Sequence, residues 1–240
     1  MSEYENVNYP GRAVPSADAQ AFDQGLRTYM IGVYQYMALG VALTGAVALV
    51  LSMQPALMEA IWATPLRWVA IFAPVPIGLY AQIRIHKLSP ATAQGLFWLY
   101  AALMGVSFSI LFAIYTDASI ARVFLITAVA FGSLSLFGYT TKRNLSAFGS
   151  FLFIGMVGIF VASVANIFLA SSALNFAVSV IGVLVFAGLT AYDTQQIKQM
   201  YYDAPDETTA SRYAVLGAFW LYISFVAMFQ YLLALIGDRD

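Results

Sequence analysis

The sequence predicts an all-α integral membrane protein with seven transmembrane helices. Of its 240 residues, 61% are hydrophobic and only 10% are charged, whereas a soluble domain carries about a quarter charged residues. A helix needs roughly 20 mostly apolar residues to cross the hydrocarbon core of a bilayer. Nearly all of the chain after Tyr29 divides into apolar segments of that length, so the connections are too short to form a soluble catalytic domain.

Each predicted helix ends where prolines, charges or small polar residues interrupt the apolar pattern. The first, residues 30–52, is followed by "SMQPALMEAIWATP", the second, 66–84, by "IRIHKLSP", and the third, 93–115, by "YTDAS". The fourth, 120–140, is followed by "TTKRNLS", the fifth, 147–170, by "ASSALN", and the sixth, 174–197, by "YYDAPDETTASR", which precedes the seventh, 213–236. Together these segments form one transmembrane domain, residues 29–237.

Residues 1–28 are predicted to be a disordered cytoplasmic tail. They contain Glu3, Glu5, Asp18 and Asp23 but no apolar core, so they lack the layout of a cleavable signal peptide. The first helix then serves as an uncleaved signal anchor. This arrangement is expected of a protein in a plasma membrane or a bacterial inner membrane.

The positive charges predict how the helices are oriented, because lysine and arginine concentrate in cytoplasmic loops. Eight fall on one side, namely Arg12, Arg27, Arg84, Lys87, Lys142, Arg143, Lys198 and Arg212, and three fall on the other, namely Arg67, Arg122 and Arg239. The bias predicts a cytoplasmic amino terminus and, with seven spans, a periplasmic or extracellular carboxyl terminus. A segment that only enters and leaves the membrane on one side would return the carboxyl terminus to the cytoplasm.

Composition and motifs argue against several classes of function. A net charge of −1 offers no basic surface for nucleic acid. The chain has no cysteine and a single histidine, His86, which excludes disulfides, thiolate metal sites and multi-histidine zinc sites. It also lacks a G-x-x-x-x-G-K-[ST] phosphate loop and a G-x-S-x-G nucleophile elbow. We therefore expect a protein that is not an enzyme and has no cofactor.

Asp193, in the stretch "GLTAYDTQQIK" (188–198), is the candidate functional residue. No charged residue lies between Arg143 and Asp193, and an ionised carboxylate inside a bilayer costs at least ~2.5 kcal/mol. Asp193 precedes Lys198 by about one and a half turns, or roughly 7 Å at ~1.5 Å per residue. It is therefore either a helix-end residue in water or a functional carboxylate. The following "TQQIKQM" contains no helix breaker, which favours a continuing helix and the functional interpretation.

A buried carboxylate needs a partner, and Arg84 is the best candidate. Arg84 follows directly on the second apolar segment, and a guanidinium can hold a carboxylate through two hydrogen bonds. Lys142 and Arg143 are predicted to lie on the same side of the membrane. An interfacial charge that only sets topology is the alternative role for Arg84.

Three stretches resemble the Bax inhibitor-1 family, also called transmembrane Bax inhibitor motif proteins. They are "FGYTTKRNLSAFGSFLF" (137–153), "GLTAYDTQQIK" (188–198) and "LGAFWLYISFVAMF" (216–229), and "GYTTKR" with "AYDTQ" is most similar to the bacterial branch. The resemblance implies six helices wrapped around a central seventh. It also implies a calcium-permeable leak gated by proton-linked rearrangement of two aspartates, with an arginine of the second helix nearby. Asp193 matches the first aspartate, and Arg84 falls at the position of the arginine.

The last helix departs from the pattern of the family. The family usually reads L-Y-L-D-F-I-N-L-F there, whereas this chain reads "LYISFVAMF" (221–229). Ser224 stands at the position of the second aspartate, and Ala227 replaces the asparagine. Two adjacent carboxylates repel each other and share a proton near neutral pH, and Ser224 removes that repulsion. We therefore expect the pH gate to be altered, with gating near neutral pH weakened or absent.

Two functional hypotheses follow from the resemblance. The first is a passive leak for calcium or other cations, in which Asp193 is the gate or ion contact, Arg84 its latch and Ser224 its hydrogen-bond partner. Strong calcium sites gather six to eight oxygens, so a single intramembrane acid implies at most a weak, transient Ca²⁺ contact. The second is a non-conducting protein that modulates other membrane proteins, such as a membrane-anchored quality-control protease to which some bacterial relatives are linked. Deletion of the acidic tail would spare ion flux in the first case and abolish partner capture in the second.

Overall fold

A computed structural model describes the backbone of residues 17–239 and the side chains of residues 24–239. The helices are α1 (Ala17–Ser52), α2 (Pro55–Trp62), α3 (Leu66–Phe72), α4 (Pro74–Arg84), α5 (Pro90–Phe108), α6 (Asp117–Thr140), α7 (Ser146–Leu169), α8 (Ser172–Asp203) and α9 (Glu207–Ile236). Short 3₁₀ turns at Ile85–Lys87 and Ser109–Ala113 follow α4 and α5. The part of the chain described here contains no β-strand, which confirms the all-α prediction.

Seven helical segments are long and apolar enough to cross a membrane, and they confirm the seven predicted spans. They are Gln24–Ser52, Leu66–Lys87, Pro90–Ala113, Asp117–Thr140, Ser146–Leu169, Ser172–Asp203 and Glu207–Ile236. The second span consists of α3 and α4, whereas the sequence predicted one continuous helix over residues 66–84. The break falls at Pro74, because proline lacks a backbone N–H and its ring clashes with the preceding turn of a helix.

The first helix begins earlier than predicted. Backbone helix starts at Ala17, so residues 17–28 are helical rather than a disordered tail, while residues 1–16 lie outside the described part of the chain. Leu26 and Met30 are only 4% and 3% exposed. Leu26 belongs to the predicted tail, and its burial stabilises a helical turn there. Another helix, α2, lies in the predicted first loop and begins at Pro55, a residue favoured at the first helical position.

The last span, α9, forms the centre of the bundle. Phe219, Leu221, Tyr222, Met228 and Leu233 of this helix are all at most 1% exposed. It packs against α1, α5, α6 and α8 and against the 3₁₀ turn after α4. This arrangement confirms the central position of the last helix. The fifth span, α7, packs chiefly against α8, so it lies outside the ring of helices that surround α9.

Helices α6 and α8 approach each other closely at Gly138. A Cβ atom at this position would overlap the backbone carbonyl of Ala191 in α8. The neighbouring backbone cannot rotate away as a side chain can. Close approach through small residues is a common means of associating transmembrane helices, because lipid supplies no hydrophobic drive between them.

A buried hydrogen-bond cluster joins α1, α5 and α9 on the far side of α9 from α8. The Thr44 hydroxyl lies 2.8 Å from the carbonyl oxygen of Ala101, 3.0 Å from that of Gly40, and within hydrogen-bond distance of the Tyr222 hydroxyl. Thr44 and Tyr222 are 4% and 0% exposed. Buried hydroxyls without partners are destabilising, so this cluster favours one register of the three helices.

The amino terminus of α9 is capped by Asp206, outside the membrane-spanning segments. The carboxylate accepts hydrogen bonds from the backbone N–H of Thr209 at 2.8 Å and from its hydroxyl at 3.1 Å. These bonds, led by the backbone one, favour the ionised form and lower the pKa of Asp206 below its usual value. The cap therefore stabilises the fold above the pKa that Asp206 has in the unfolded chain. That stabilisation is lost as the pH falls through the lower pKa of the folded state.

We expect Asp206→Asn to unfold at a lower temperature than wild type at pH 7, with a gap that closes on acidification. Asparagine is also a good cap, so the variant retains the helix start but loses the charge that titrates. The measurement is the unfolding temperature of both proteins in detergent from pH 7 down to pH 3. A gap of constant size over this range would show that the charge of Asp206 contributes nothing.

Candidate functional site

Asp193 and Ser224 face each other across the contact between α8 and α9. The Ser224 hydroxyl donates a hydrogen bond of 3.0 Å to Oδ2 of Asp193. Ser224 is 2% exposed, whereas Asp193 is partly exposed. The sequence predicted Ser224 as the partner of this carboxylate, and the hydrogen bond is present. Asp193 thus keeps part of its surface accessible while it accepts this hydrogen bond.

Asp193 and Ser224 both line a cavity of about 860 Å³ bounded by α4, α7, α8 and α9. Its polar lining consists of Gln82, Ser150, Tyr192, Asp193, Gln196, Trp220 and Ser224. The other lining residues are Gly149 and residues with apolar side chains. Asp193 is the acidic residue of this lining, so any cation that enters the cavity meets one carboxylate surrounded by neutral hydrogen-bonding groups.

The cavity opens toward the lipid-facing surface between α4 and α7. These two helices both line it without packing extensively against each other. The apolar residues at the opening are strongly exposed: Leu79 of α4 is 54% exposed, and Phe153 and Ile154 of α7 are 59% and 69% exposed. In a bilayer these side chains contact acyl chains, and the polar wall formed by α8 and α9 lies behind them.

Arg84 does not take part in this site, so its predicted pairing with Asp193 is wrong in this structure. Arg84 is exposed at the end of α4, and among the side chains of residues 24–239 the ion pair within 4.0 Å is Arg122–Asp238. At about 100° per residue, Arg84 points roughly opposite to Gln82 on the helix. The next residue, Ile85, is 1% exposed and anchors the 3₁₀ turn. Arg84 is therefore left at the surface.

Gln82 is the residue of α4 that lines the cavity. Its Oε1 accepts a hydrogen bond of 3.2 Å from the indole N–H of Trp220 in α9, and its side-chain amide donates to the carbonyl of Gly78. The sequence alone did not identify Gln82 or Trp220 as part of the site. The signal was available, since Gln82 is a polar residue inside an apolar span and lies one turn after Leu79.

Gln196, three residues after Asp193 on α8, also lines the cavity. Thr190, three residues before Asp193, is 0% exposed and faces the packed interior, where its hydroxyl donates to the carbonyl of Phe186 in the same helix. Ile197 is also 0% exposed. Asp193 and Gln196 are thus the residues of this part of α8 that are accessible from the cavity.

Aromatic side chains follow Ser224 on α9 and pack against neighbouring helices. Phe225 of α9 stacks edge-to-face on Phe124 and Phe131 of α6, with ring centroids 5.5 and 5.4 Å apart. One turn further, Phe229 packs on Phe108 of α5 at 6.4 Å. These contacts pack α9 against α5 and α6 over the part of α9 that follows Ser224.

The oxygen atoms at Asp193 are too few for a strong metal site. Within the described residues, no three histidine, aspartate or glutamate side chains come together. A cation at Asp193 could add Ser224 and Gln196 as neighbouring oxygen ligands, whereas strong Ca²⁺ sites use six to eight oxygens, several from carboxylates. The arrangement suits a brief contact with a partly hydrated cation.

Comparisons with known proteins agree with the architecture of the chain. A protein of Rickettsia prowazekii, RP147, is 43% identical over 97% of this chain and 99% of its own length. A protein of Caulobacter vibrioides is 43% identical over 95% of this chain and 96% of its own length. The inner membrane protein YbhL of Escherichia coli is 44% identical over 90% of this chain and 93% of its own length.

A family model described as inhibitor of apoptosis-promoting Bax1 matches residues 26–240. The match includes all seven spans and both partners of the Asp193–Ser224 hydrogen bond. The protein is thus a multi-pass membrane protein, and the chain belongs to the Bax inhibitor-1 family.

Proposed function

We propose that the protein is a passive leak for calcium or other cations, in which Asp193 is the intramembrane cation contact. One observation carries this proposal: Asp193 lines a cavity of about 860 Å³, where it accepts a hydrogen bond from Ser224. An ionisable group inside a membrane span is costly and usually serves a function. A single carboxylate that binds cations weakly favours release as well as entry, which conduction requires.

The same proposal includes the location and orientation of the chain. The relative named an inner membrane protein supports an inner-membrane location. The uneven distribution of lysine and arginine supports a cytoplasmic amino terminus and a carboxyl terminus outside. In that orientation the Asp193 cavity lies toward the cytoplasmic end of the bundle, and Phe225 and Phe229 form the barrier on the outer side. Opening then consists of separating these aromatic contacts.

We expect Asp193→Ala to reduce calcium entry into proteoliposomes by roughly tenfold or more, because opposite charges about 4 Å apart attract by about 1–4 kcal/mol in and near water. The measurement is the initial rate of calcium entry, reported by a trapped dye, at pH 6 and pH 8. Asp203→Ala is the matched control, because Asp203 belongs to the same helix but is exposed and lies outside the cavity.

Ser224→Asp, measured in the same assay, tests the altered pH gate. A second carboxylate beside Asp193 restores like-charge repulsion, so we expect the calcium entry rate of the variant to depend more steeply on pH between 6 and 8 than that of wild type.

Equal flux through wild type, Asp193→Ala and empty vesicles would refute the leak. The protein would then be better explained as a non-conducting partner of other membrane proteins, such as a quality-control protease, and capture of partners with and without residues 1–16 would be the next measurement.

A further inference from the structure

We propose that a second cavity, at the end of the bundle where α6 and α8 end and α7 begins, binds the phosphate headgroup of an anionic phospholipid. This headgroup cavity has a volume of about 480 Å³ and is lined by three cationic side chains, Lys142, Arg143 and Lys198. It adjoins the Asp193 cavity, with which it shares Gln196, but Asp193 and Ser224 do not line it, and the proposal stands whether or not the protein conducts ions.

The electrostatic balance of the headgroup cavity is positive. In the part of the chain that the structure describes, none of its lining residues is acidic. Lys142 and Arg143 are exposed, and neither forms an ion pair with a described side chain. The nearby Asp203 lies outside the lining and accepts a hydrogen bond from Gln199. An anion that enters this cavity therefore meets cations that no described carboxylate neutralises.

The loop that carries Lys142 and Arg143 has a fixed shape. A single side-chain amide, that of Gln195 in α8, donates to the carbonyl of Arg143 at 2.9 Å and accepts from the backbone N–H of Leu145 at 2.8 Å. Lys198 is held over the ring of Tyr139, 4.9 Å from its centroid. The three cationic groups are thus presented by anchored backbone, which lowers the entropy lost when an anion is bound.

The start of α7 adds favourable electrostatics. The N-cap residue Leu145 makes no side-chain hydrogen bond to α7, while Asn144 accepts a hydrogen bond from the backbone N–H of Ser146 at 2.8 Å, and Asn144 and Ser146 line the headgroup cavity. The positive end of the helix dipole attracts anions. Phosphate, with its several acceptor oxygens, fits a site made of lysine and arginine side chains.

A lipid is favoured over a free phosphate ion because of what surrounds the headgroup cavity. Leu136, Phe137 and Phe148 flank it on α6 and α7 and are 63%, 51% and 60% exposed. In the membrane these residues face acyl chains. A phospholipid can therefore place its phosphate between Lys142, Arg143 and Lys198 while its tails lie along the apolar residues. Basic cavities between helix ends are a known way of holding anionic headgroups.

The test compares lipids by native mass spectrometry of the full chain in a neutral detergent. We expect wild type to bind phosphatidylglycerol at least about tenfold more tightly than phosphatidylcholine, because each cation near an anionic headgroup raises the affinity by about a factor of five. The K142Q/R143Q variant should lose that preference. Both side chains are exposed, so the variant should fold. The control R84Q/K87Q removes the same charge from exposed residues at the same end, outside the headgroup cavity, and should bind as wild type does.

Three results would overturn the proposal. One is equal binding of phosphatidylglycerol by wild type and K142Q/R143Q, and another is equal loss in K142Q/R143Q and in R84Q/K87Q. The third is displacement of the lipid by millimolar inorganic phosphate, which would identify a free anion as the ligand. Retention of the preference in the charge-conserving K142R/R143K variant would support a phosphate contact made by positive charge.

Discussion

Replacing Gly138 with alanine is expected to lower the free energy of unfolding by about 3 kcal/mol, near the upper end for an overpacked interior. The added methyl group would overlap the backbone carbonyl of Ala191, so α6 and α8 must separate. This separation would propagate along the contact of two helices that both pack against α9. The measurement is thermal unfolding in detergent together with the monodisperse fraction after purification.

Gly132→Ala is the matched control, because Gly132 lies in the same helix and a Cβ there would meet no atom within 4 Å. Alanine favours helix over glycine by about 1 kcal/mol, so this variant should be as stable as wild type or more stable. If both substitutions changed the unfolding temperature equally, helix propensity rather than the α6–α8 contact would control stability at Gly138.

Removing the Thr44 hydroxyl is expected to cost about 1–3 kcal/mol of stability, because Thr44→Val leaves the Tyr222 hydroxyl buried without its partner. Tyr222→Phe should cost less, about 1 kcal/mol, since Thr44 still has backbone carbonyls to which it can donate. The measurement is a double-mutant cycle on the free energy of unfolding. The double variant should lose less than the sum of the single losses by about 0.5–1.5 kcal/mol.

If the stability losses of Thr44→Val and Tyr222→Phe were strictly additive, the two hydroxyls would not be coupled by a hydrogen bond. In that case Thr44 and Tyr222 would contribute independently, for example through packing alone. The unchanged shape of valine relative to threonine makes the comparison specific to the hydroxyl group.

The number and order of the spans could be predicted from the sequence because they depend on local composition. A run of about 20 apolar residues has few alternatives to a transmembrane helix. The break at Pro74 was present in the sequence but was missed, because apolar residues continue across it. The helical turn at Leu26 was missed, because Leu26 is buried in the bundle and local composition does not show that burial.

Residues of the site were predicted where the family resemblance assigned them a position. They were missed where their place depends on how the helices pack in three dimensions. The Asp193–Ser224 contact follows from two positions in adjacent helices of the family. Arg84 was placed near Asp193 because of its membrane depth, but depth does not specify the direction of a side chain around a helix. Gln82 lies two residues away on the same helix and faces the cavity. Its rotation is set by packing of α4 on α5, which no single segment encodes.

For Lys142 and Arg143, the sequence likewise predicted the side of the membrane but not the site that they line. Charge counting assigned them to the correct end of the bundle as alternative partners of Asp193. The structure places them with Lys198 around a different cavity, because Gln195 anchors the loop to α8. This anchor joins residues about 50 positions apart in the chain, and its pairing depends on how α7 and α8 pack.

The central position of α9 has a consequence for biosynthesis. This helix follows the other six spans in the chain, so the ribosome makes it after they have entered the membrane. Until α9 arrives, α1, α5, α6 and α8 lack the helix against which they pack in the complete fold. Final folding therefore waits for a single late insertion event, and a stall in translation before Glu207 would leave a membrane intermediate that quality-control proteases can recognise.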